Sequence, residues 1–275
     1  MNSDELLASA PRYPERIVCM TEETTEILYA IGAGDRVVGV SGFTKRPPEA
    51  RTKPTISTFL EAKFDEIEAL RPDLVLGFSD LQADLAQTLG KRGVPVYLFN
   101  QRSIAEILQT VRIVGALVGL APEGERLAER LEANVRRHAE AARHLDRRPR
   151  VFLEEWPDPL IAGIRWTSEM LEVVGGEDVC VETRTRQDAQ GRIFEPAEIA
   201  ARAPDVIVAS WCGRKVEPDV IRKRPGWESV PAVVHDRIHE IDSTIYLQPG
   251  PAALTDGIDA LARIVHAAAQ EEPIQ

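Results

Sequence analysis

Aromatic side chains stand at the predicted ends of buried strands, where an α/β protein holds its ligands. Aromatic residues make up only 5% of the 275-residue chain, yet Phe78, Trp156, Trp211 and Tyr246 each follow a predicted strand. Ligands of open α/β sheets bind beyond the carboxyl ends of the strands. Because flat rings bury much area with few rotatable bonds, the set predicts a site for a large flat or apolar ligand. For any one ring, packing in the core is an equally good interpretation.

Residues suited to metal chemistry are few and scattered. Cys19, Cys180 and Cys212 lie far apart, which predicts neither a disulfide framework nor a zinc site. No histidine pairs with a carboxylate at a metal-ligand spacing, and His138 and His144 are expected on the solvated face of a long helix. The sequence therefore predicts no metal site.

The signatures of common enzymes are missing from the sequence. It contains no Gly-x-Ser-x-Gly, no phosphate-binding loop ending in Lys-Ser/Thr, and no His-Glu-x-x-His. Adjacent acids occur at Glu22-Glu23 and Glu154-Glu155. Such neighbours are more often solvated charges or partners of a helix dipole than an acid–base couple, and we expect that role here. Binding without catalysis is the prediction.

A repeated segment divides the chain nearly in half. The stretch Glu66–Leu76 returns 132 positions later as Glu198–Val208, and both copies read as a short helix, a Pro-Asp turn and a buried strand. A period this long does not suit a solenoid. It predicts two similar α/β lobes, with a cleft between them for a ligand.

The elements around the repeat fit this arrangement. Strands and helices alternate in the first part of the chain and again from Arg150, which favours parallel sheets covered by helices. A helical stretch begins after Pro122, and its length would carry it from one lobe to the other. We predict an α/β fold with an N-terminal lobe over 1–121, an interlobe helix over 122–147 and a C-terminal lobe over 148–275.

Composition narrows the partners and the location. The net charge of −11 argues against nucleic acid, and no apolar run is long enough to span a bilayer. The first ten residues are acidic and lack the apolar run of a secretory signal. We expect a monomer that is cytoplasmic as the sequence stands, or periplasmic if a leader has been removed.

Two motifs resemble class III solute-binding proteins, which serve ABC importers of cobalamin, haem and ferric siderophores. They are Ile67-x-Ala69-Leu70-x-Pro72-Asp73-Leu74-Val75 and Glu169–Glu177. Four further segments look most like the cobalamin-binding branch: Glu155-Trp156-x-Asp158-Pro159-Leu160, Trp166, Arg224-Pro225-Gly226-Trp227 and Gln248-Pro249-Gly250-Pro251. The resemblance implies two Rossmann-like lobes with parallel sheets, joined by one long backbone helix, with the ligand between them.

The resemblance also implies particular contacts. Phe59 and Phe78 match ring positions of the first lobe, while the second-lobe candidates Trp156, Trp166, Trp211 and Tyr246 come from the strand-end argument. Each lobe of a transport protein offers a carboxylate to the permease. The matching positions are Asp65 and Ala197, so Asp65 is the first expected permease contact. Glu195 or Glu198 is expected to substitute at the second, and Glu198 is the residue chosen.

Three functions follow, in order of preference. The first is non-enzymatic binding of a corrinoid such as cobalamin, without an intrinsic cofactor, by an ABC importer component or a cytoplasmic carrier. The second is binding of haem or a ferric siderophore, with Tyr246 or Cys212 as iron ligand. The third is an enzyme of corrinoid or tetrapyrrole metabolism.

Overall fold

A computed structural model describes residues 12–58 and 61–270, and these fall into two compact units. Unit 1 holds the chain as far as Gln101 together with Leu108–Glu129. Unit 2 holds Arg102–Ile107 and the chain from Arg130 onward. Each unit contains its own sheet, which confirms the predicted α/β fold with two lobes.

Strands and helices alternate along most of the chain. The strands are β1 Ile17–Cys19, β2 Val37–Ser41, β3 Thr55–Ser57, β4 Leu74–Phe78, β5 Val96–Phe99, β6 Arg150–Pro157, β7 Leu160–Ala162, β8 Glu177–Asp178, β9 Val206–Ala209 and β10 Ile238–Glu240. The α-helices are α1 Glu22–Ala30, α2 Phe64–Ala69, α3 Ala83–Lys91, α4 Ile104–Leu117, α5 Ala121–Ala142, α6 Arg165–Val173, α7 Pro196–Ala201, α8 Pro218–Arg222, α9 Pro231–Val234, α10 Ser243–Tyr246 and α11 Ile258–Gln270. Short 3₁₀ turns and one π turn complete them: Gly34–Arg36, Pro48–Thr52, Asp80–Gln82, Val181–Thr185, Gln190–Arg192 and Ala253–Gly257.

The sheet of unit 1 is parallel throughout the described residues, in the order β3-β2-β1-β4-β5. Its central strand β1 pairs Ile17 with Val37 on one side and with Leu74 on the other. Strands covered on both faces read as continuous apolar runs, and β1 and β4 are buried along their whole length. All carboxyl ends of this sheet therefore lie at one edge.

The sheet of unit 2 differs from the predicted parallel sheet. Its order is β10-β9-β6-β7, with β8 also paired to β6. Strands β8, β9 and β10 are parallel to their neighbours, but β7 runs antiparallel to β6. The two residues between β6 and β7 are Asp158 and Pro159, and so short a connection can join only antiparallel strands.

The repeated segment takes the same form in both units. Helices α2 and α7 occupy the 132-residue offset, and each is followed by a residue in the left-handed region, Arg71 with φ 48° and Ala203 with φ 45°. A Pro-Asp pair then leads into the strand. The predicted helix, turn and strand are confirmed in both copies.

The aspartate of each Pro-Asp pair ties its turn to the first strand of its own unit. A carboxylate oxygen of Asp73 accepts the backbone N–H of Arg16 at 2.9 Å, and one of Asp205 accepts the backbone N–H of Arg150 at 2.9 Å. Charge-assisted hydrogen bonds of this kind are stronger than neutral ones. The two halves thus share an anchoring contact as well as a sequence motif.

Helices α4 and α5 pack closely at two glycines. A methyl group added to Gly115 would meet the Cα atom of Gly124 at 2.9 Å, so only glycine fits this contact. Helix α5 is the predicted long helix, and its residues belong to unit 1 up to Glu129 and to unit 2 from Arg130.

The expectation for His138 on this helix is wrong. Its side chain is buried, and Nε2 lies 2.6 Å from Oδ1 of Asp259 on α11. The helix turns this position toward α11 rather than toward solvent. Among residues 12–58 and 61–270, no helix is long and apolar enough to cross a membrane.

Candidate functional site

The carboxyl end of β1 leads into a buried polar turn in unit 1. Thr21, Thr24 and Thr25 are wholly buried, and the hydroxyls of Thr24 and Thr25 both donate to the carbonyl oxygen of Thr21 at 3.2 Å. These bonds hold the first turn of α1 in place at the sheet edge. The turn carries two acidic side chains into the same buried region.

Glu22 and Glu23 lie in this first turn and are buried, contrary to the expectation of solvated charges. Their exposed fractions are 8% and 1%. The hydroxyl of Thr21 donates to Oε1 of Glu23 at 2.7 Å, whereas Oε2 of each glutamate has no hydrogen-bond partner among the described residues. Burial raises the pKa of Glu22 to about 7 and, with the charge of Glu22 beside it, that of Glu23 to about 8.

Further polar atoms are buried at the same edge. Thr44 follows β2 and Ser57 ends β3, and the hydroxyl of each is buried without a hydrogen-bond partner in the described ranges. Among the cations, Lys45 acts on Glu22 and lowers its pKa, and Arg46 bonds Glu26 at 3.1 Å. Buried polar atoms are normally paired with protein groups or with ordered water, so this group of atoms is a candidate binding site for water or for a ligand.

The first-lobe aromatic candidates have different outcomes. Phe78 ends β4, as predicted, but its ring is only 4% exposed. Its backbone N–H donates to Oε1 of Gln82 at 3.0 Å, which fixes the strand end. Phe59 lies outside the described residues.

In unit 2, Trp156 retains exposed surface at a strand end. It lies near the carboxyl end of β6, half-buried, with the ring packed against the core of the unit. The indole N–H donates to the carbonyl oxygen of Asp158 at 2.9 Å, which orients the ring. A fixed ring with one side on the core is suited to stacking on a ligand.

The other three candidates of unit 2 are packed in its interior. Trp166, Trp211 and Tyr246 are only 3%, 1% and 2% exposed. The indole of Trp166 donates to the carbonyl oxygen of Tyr246 at 3.3 Å, so these two lie together. Burial raises the pKa of the Tyr246 phenol. These contacts favour the packing interpretation for all three.

Two arginines lie at the end of β6: Arg192, which the sequence did not single out, and Arg224, which it gave only as part of the segment Arg224-Pro225-Gly226-Trp227. Both guanidinium groups bind carboxylates of the adjacent acids: Arg224 bonds both oxygens of Glu154 at 2.7 and 2.8 Å, and Arg192 bonds both oxygens of Glu155 at 2.5 and 3.1 Å. Trp211 also donates to Glu154 at 3.0 Å. The partners are 70 and 37 residues apart in sequence, so no local pattern could reveal them.

The expected permease contacts lie on the matched helices. Asp65 on α2 has a side chain that is 94% exposed and bonds Arg92 at 2.8 Å. Glu198 on α7 is exposed, and its carboxylate accepts the backbone N–H of Glu195 at 2.9 Å in a capping box. Each unit therefore shows a surface carboxylate at the equivalent helix.

Side chains for iron or another metal are sparse. In the part of the chain that the structure describes, no three His, Cys, Asp or Glu side chains gather as a metal site would require. Cys212, just after β9, is exposed, whereas Cys19 and Cys180 are buried and their thiol pKa values are raised to about 12 by burial.

Comparison with known proteins identifies the class. The periplasmic binding protein family profile matches residues 17–245, and the chain belongs to this family. An uncharacterized ABC transporter substrate-binding lipoprotein of Bacillus subtilis (strain 168), YvrC, is 27% identical over 262 residues, or 92% of this chain and 80% of the relative. A vitamin B12-binding protein of Vibrio parahaemolyticus (strain RIMD 2210633) is 26% identical over 225 residues, or 78% of this chain and 80% of the relative.

Solved structures share the fold. The periplasmic heme-binding protein RhuT from Roseiflexus sp. RS-1, in its apo form, superposes with a TM-score of 0.82 at 26% identity. The match covers 93% of this chain and 99% of that one. The family resemblance of the sequence motifs is thereby confirmed, and the chain is a binding protein of the substrate-binding type.

Proposed function

We propose that this protein is the substrate-binding component of an ABC importer and that its ligand is a corrinoid such as cobalamin. Two kinds of relative support the two parts of the proposal: the lipoprotein YvrC for the transport role, and the vitamin B12-binding protein for the ligand. The ligand would bind at the carboxyl-end edges of the sheets, where α/β proteins take their ligands.

The charged groups at the strand ends favour a corrinoid over haem as the ligand. In unit 2, Arg224 and Arg192 are fully engaged by Glu154 and Glu155. In unit 1, three carboxyls (Glu22, Glu23 and Glu26) are set against two cations, Lys45 and Arg46, and Arg46 is already paired with Glu26. A haem with two carboxylates would need cations at the site, whereas a corrin ring carries neutral carboxamides. The pairing already present therefore favours the corrinoid.

Trp156 supplies a surface for the flat ring. A large aromatic face held by a hydrogen bond at its indole N–H loses little conformational entropy on binding. We expect Trp156→Ala to weaken binding of cyanocobalamin by about 1–3 kcal/mol, or about 5- to 150-fold in Kd. Trp156→Phe keeps a flat ring and is expected to lose less.

Isothermal titration calorimetry of the purified protein with cyanocobalamin tests both the binding of a corrinoid and the contribution of Trp156. Tyr97→Ala is the matched control, because this exposed ring lies within β5 and not at a strand end. Retention of the red ligand through gel filtration gives a second readout. Absence of heat and of retained colour at micromolar ligand would refute the corrinoid proposal.

Haem is the second candidate, favoured by one observation. Cys212 is exposed just beyond β9, where a thiolate could bind iron, and RhuT supports the ligand class. The buried phenol of Tyr246 suits this role poorly. A Soret shift on addition of haemin, lost in Cys212→Ser, would favour haem over the corrinoid.

The proposed activity is binding without chemistry. Glu23 accepts from the buried Thr21 hydroxyl, and Glu154 is bonded to Arg224. Burial raises the pKa of the Cys19 thiol near Glu23 to about 12, which disfavours the thiolate that a nucleophile needs. Mass spectrometry of the ligand before and after incubation is expected to give the same mass. A changed mass would instead support the enzyme hypothesis.

The transport role implies a permease and a place of action. We propose Asp65 and Glu198 as its contacts, since matched helices present both carboxylates. Asp65→Lys should reduce transport in a reconstituted importer while leaving ligand affinity unchanged. An importer's binding protein works on the side from which ligand arrives, whereas the carrier alternative places it in the cytoplasm, and cell fractionation separates the two.

A further inference from the structure

The acidic turn of unit 1 has the construction of a subsite. Glu22 and Glu23 are both more than nine-tenths buried, and one oxygen of each, Oε2, has no partner in the described ranges. Two independent hydroxyls, of Thr44 and Ser57, are also buried and unpartnered at the ends of the two strands next along the sheet. Leaving a buried polar atom unpaired costs about 1–3 kcal/mol, so four such atoms at one edge call for a ligand.

The fixed bonds leave these atoms available. Oε1 of Glu23 is held by the Thr21 hydroxyl, so its second oxygen stays unpartnered. The backbone on either side is tied down as well: Thr44 N donates to Ser41 O at 3.0 Å, and Gly42 N donates to Ser57 O at 2.8 Å. The hydroxyls therefore sit on a rigid edge.

The protonation of Glu22 and Glu23 limits the kind of ligand group that these side chains can bind. Desolvation disfavours ionised carboxyls, and two of them side by side cannot both ionise readily, so the pair holds a proton near neutral pH. A protonated carboxyl donates one hydrogen bond and accepts another. A primary carboxamide offers the complementary C=O and N–H, and the nearby hydroxyls can serve its remaining donor.

We infer that Glu22 and Glu23, with Thr44 and Ser57, form a hydrogen-bonding subsite for a carboxamide group of the ligand. This rests on the proposed function, since corrinoids carry several such groups. It adds a specificity element: an amide is accepted at this edge and a carboxylate is rejected by the glutamates. The subsite selects among side groups of a corrinoid, a task separate from stacking on the ring.

Binding at the subsite is coupled to protons. Lys45 acts on Glu22 and Glu26 acts on Glu23, Arg46 is paired with Glu26, and Cys19 lies close to Glu23 as a neutral thiol. At about pH 9 most of the free protein has lost the proton that the Glu22 and Glu23 pair shares. Ligand binding at that pH therefore requires the pair to take up a proton, which lowers the affinity. We expect cyanocobalamin, which does not itself titrate in this range, to bind about tenfold more weakly at about pH 9 than at about pH 7.

The test is calorimetry over this pH range on the wild type and on Glu22→Gln/Glu23→Gln. The double variant keeps the shape, removes the titration and is expected to give a Kd that does not change with pH. Glu49→Gln, at an exposed position close in sequence to Thr44, is the control and should follow the wild-type profile. Circular dichroism confirms that each variant is folded.

Cyanocobalamin derivatives with one carboxamide hydrolysed to a carboxylate provide a second arm. At least one isomer should bind the wild type much more weakly than it binds the double glutamine variant. A wild type that binds cyanocobalamin equally at both pH values, or a double variant with the wild-type profile, overturns the subsite and leaves the proposed function standing. A wild type that binds at neither pH overturns both.

Discussion

Replacing Glu23 by glutamine is expected to make the protein more stable at alkaline pH. The folded protein holds a proton on Glu23 up to a pKa of about 8, whereas an unfolded chain loses it near 4.5. Between these two values the folded state binds more protons, so the free energy of unfolding falls by about 1.4 kcal/mol per pH unit. The contribution is fully present below the lower value and is lost above the higher one.

The expected size follows from that window. Integrated over it, the loss for Glu23 is about 5 kcal/mol, a large share of a typical stability of about 5–15 kcal/mol. Glutamine has the same shape and no charge. We therefore expect Glu23→Gln to match the wild type within about 1 kcal/mol at about pH 5 and to exceed it by about 5 kcal/mol at about pH 9.

Urea unfolding over this pH range measures the difference. Circular dichroism is the suitable signal, because all four tryptophans lie in unit 2 and their fluorescence does not report on unit 1. Glu49→Gln is exposed and should leave the pH profile unchanged. Parallel curves for the wild type and Glu23→Gln would refute the reasoning, since they would show that Glu23 is ionised and hydrated in the folded protein.

Four further substitutions test the framework of the two units by chemical denaturation. Asp205→Asn should lower the free energy of unfolding by about 1–3 kcal/mol by weakening the bond to the first strand of unit 2, and Asp73→Asn should act alike in unit 1; no loss in either would show that the aspartates do not anchor the strands. Glu154→Gln should cost about 3–5 kcal/mol because it leaves the Arg224 guanidinium buried without its counter-charge, and a neutral outcome would mean that water reaches the pair. Ala203→Gly should raise stability by about 0.5–1 kcal/mol, since glycine adopts the left-handed region without strain, and a loss would contradict that strain.

The fold was predictable because its strongest signals are local. The Pro-Asp turns, the capping residues and the apolar strands act over a few positions, so the matched helices α2 and α7 and the alternation of strands follow from reading the chain in order. The direction of β7 was missed although it too is local. The Asp158-Pro159 connection is too short for a crossover, and the prediction of a fully parallel sheet overlooked it.

For the candidate site, the sequence predicts which residues lie near strand ends but not which of them are buried. Trp156, Trp166, Trp211 and Tyr246 all lie at or near the strand ends, but burial is decided by packing between elements distant in sequence. The same reason explains Glu22 and Glu23. Their position in the first turn of a helix suggests dipole partners, and only the surrounding strands show that water is excluded from them.

The arginine partners of Glu154 and Glu155 could not be predicted either, because they are distant in sequence. Arg192 and Arg224 lie far from β6 in the sequence. The segment around Arg224 was noted as a resemblance, but nothing local in the sequence shows that either guanidinium binds Glu154 or Glu155. A pair of adjacent glutamates at the end of a buried strand is the one available signal, because a buried acid needs a counter-charge or a proton.

The two anchoring aspartates bind their turns in the same way in both units, although the strand ends of the units differ. Each unit contains the same aspartate-to-backbone contact at the beginning of its strands, so the residues at the other end of the sheet can differ without loss of this contact. The strand ends of unit 1 carry the buried acids Glu22 and Glu23. Those of unit 2 carry two glutamates that are paired with arginines. The repeated halves therefore share an anchor but differ in the charged groups that they bury at their strand ends.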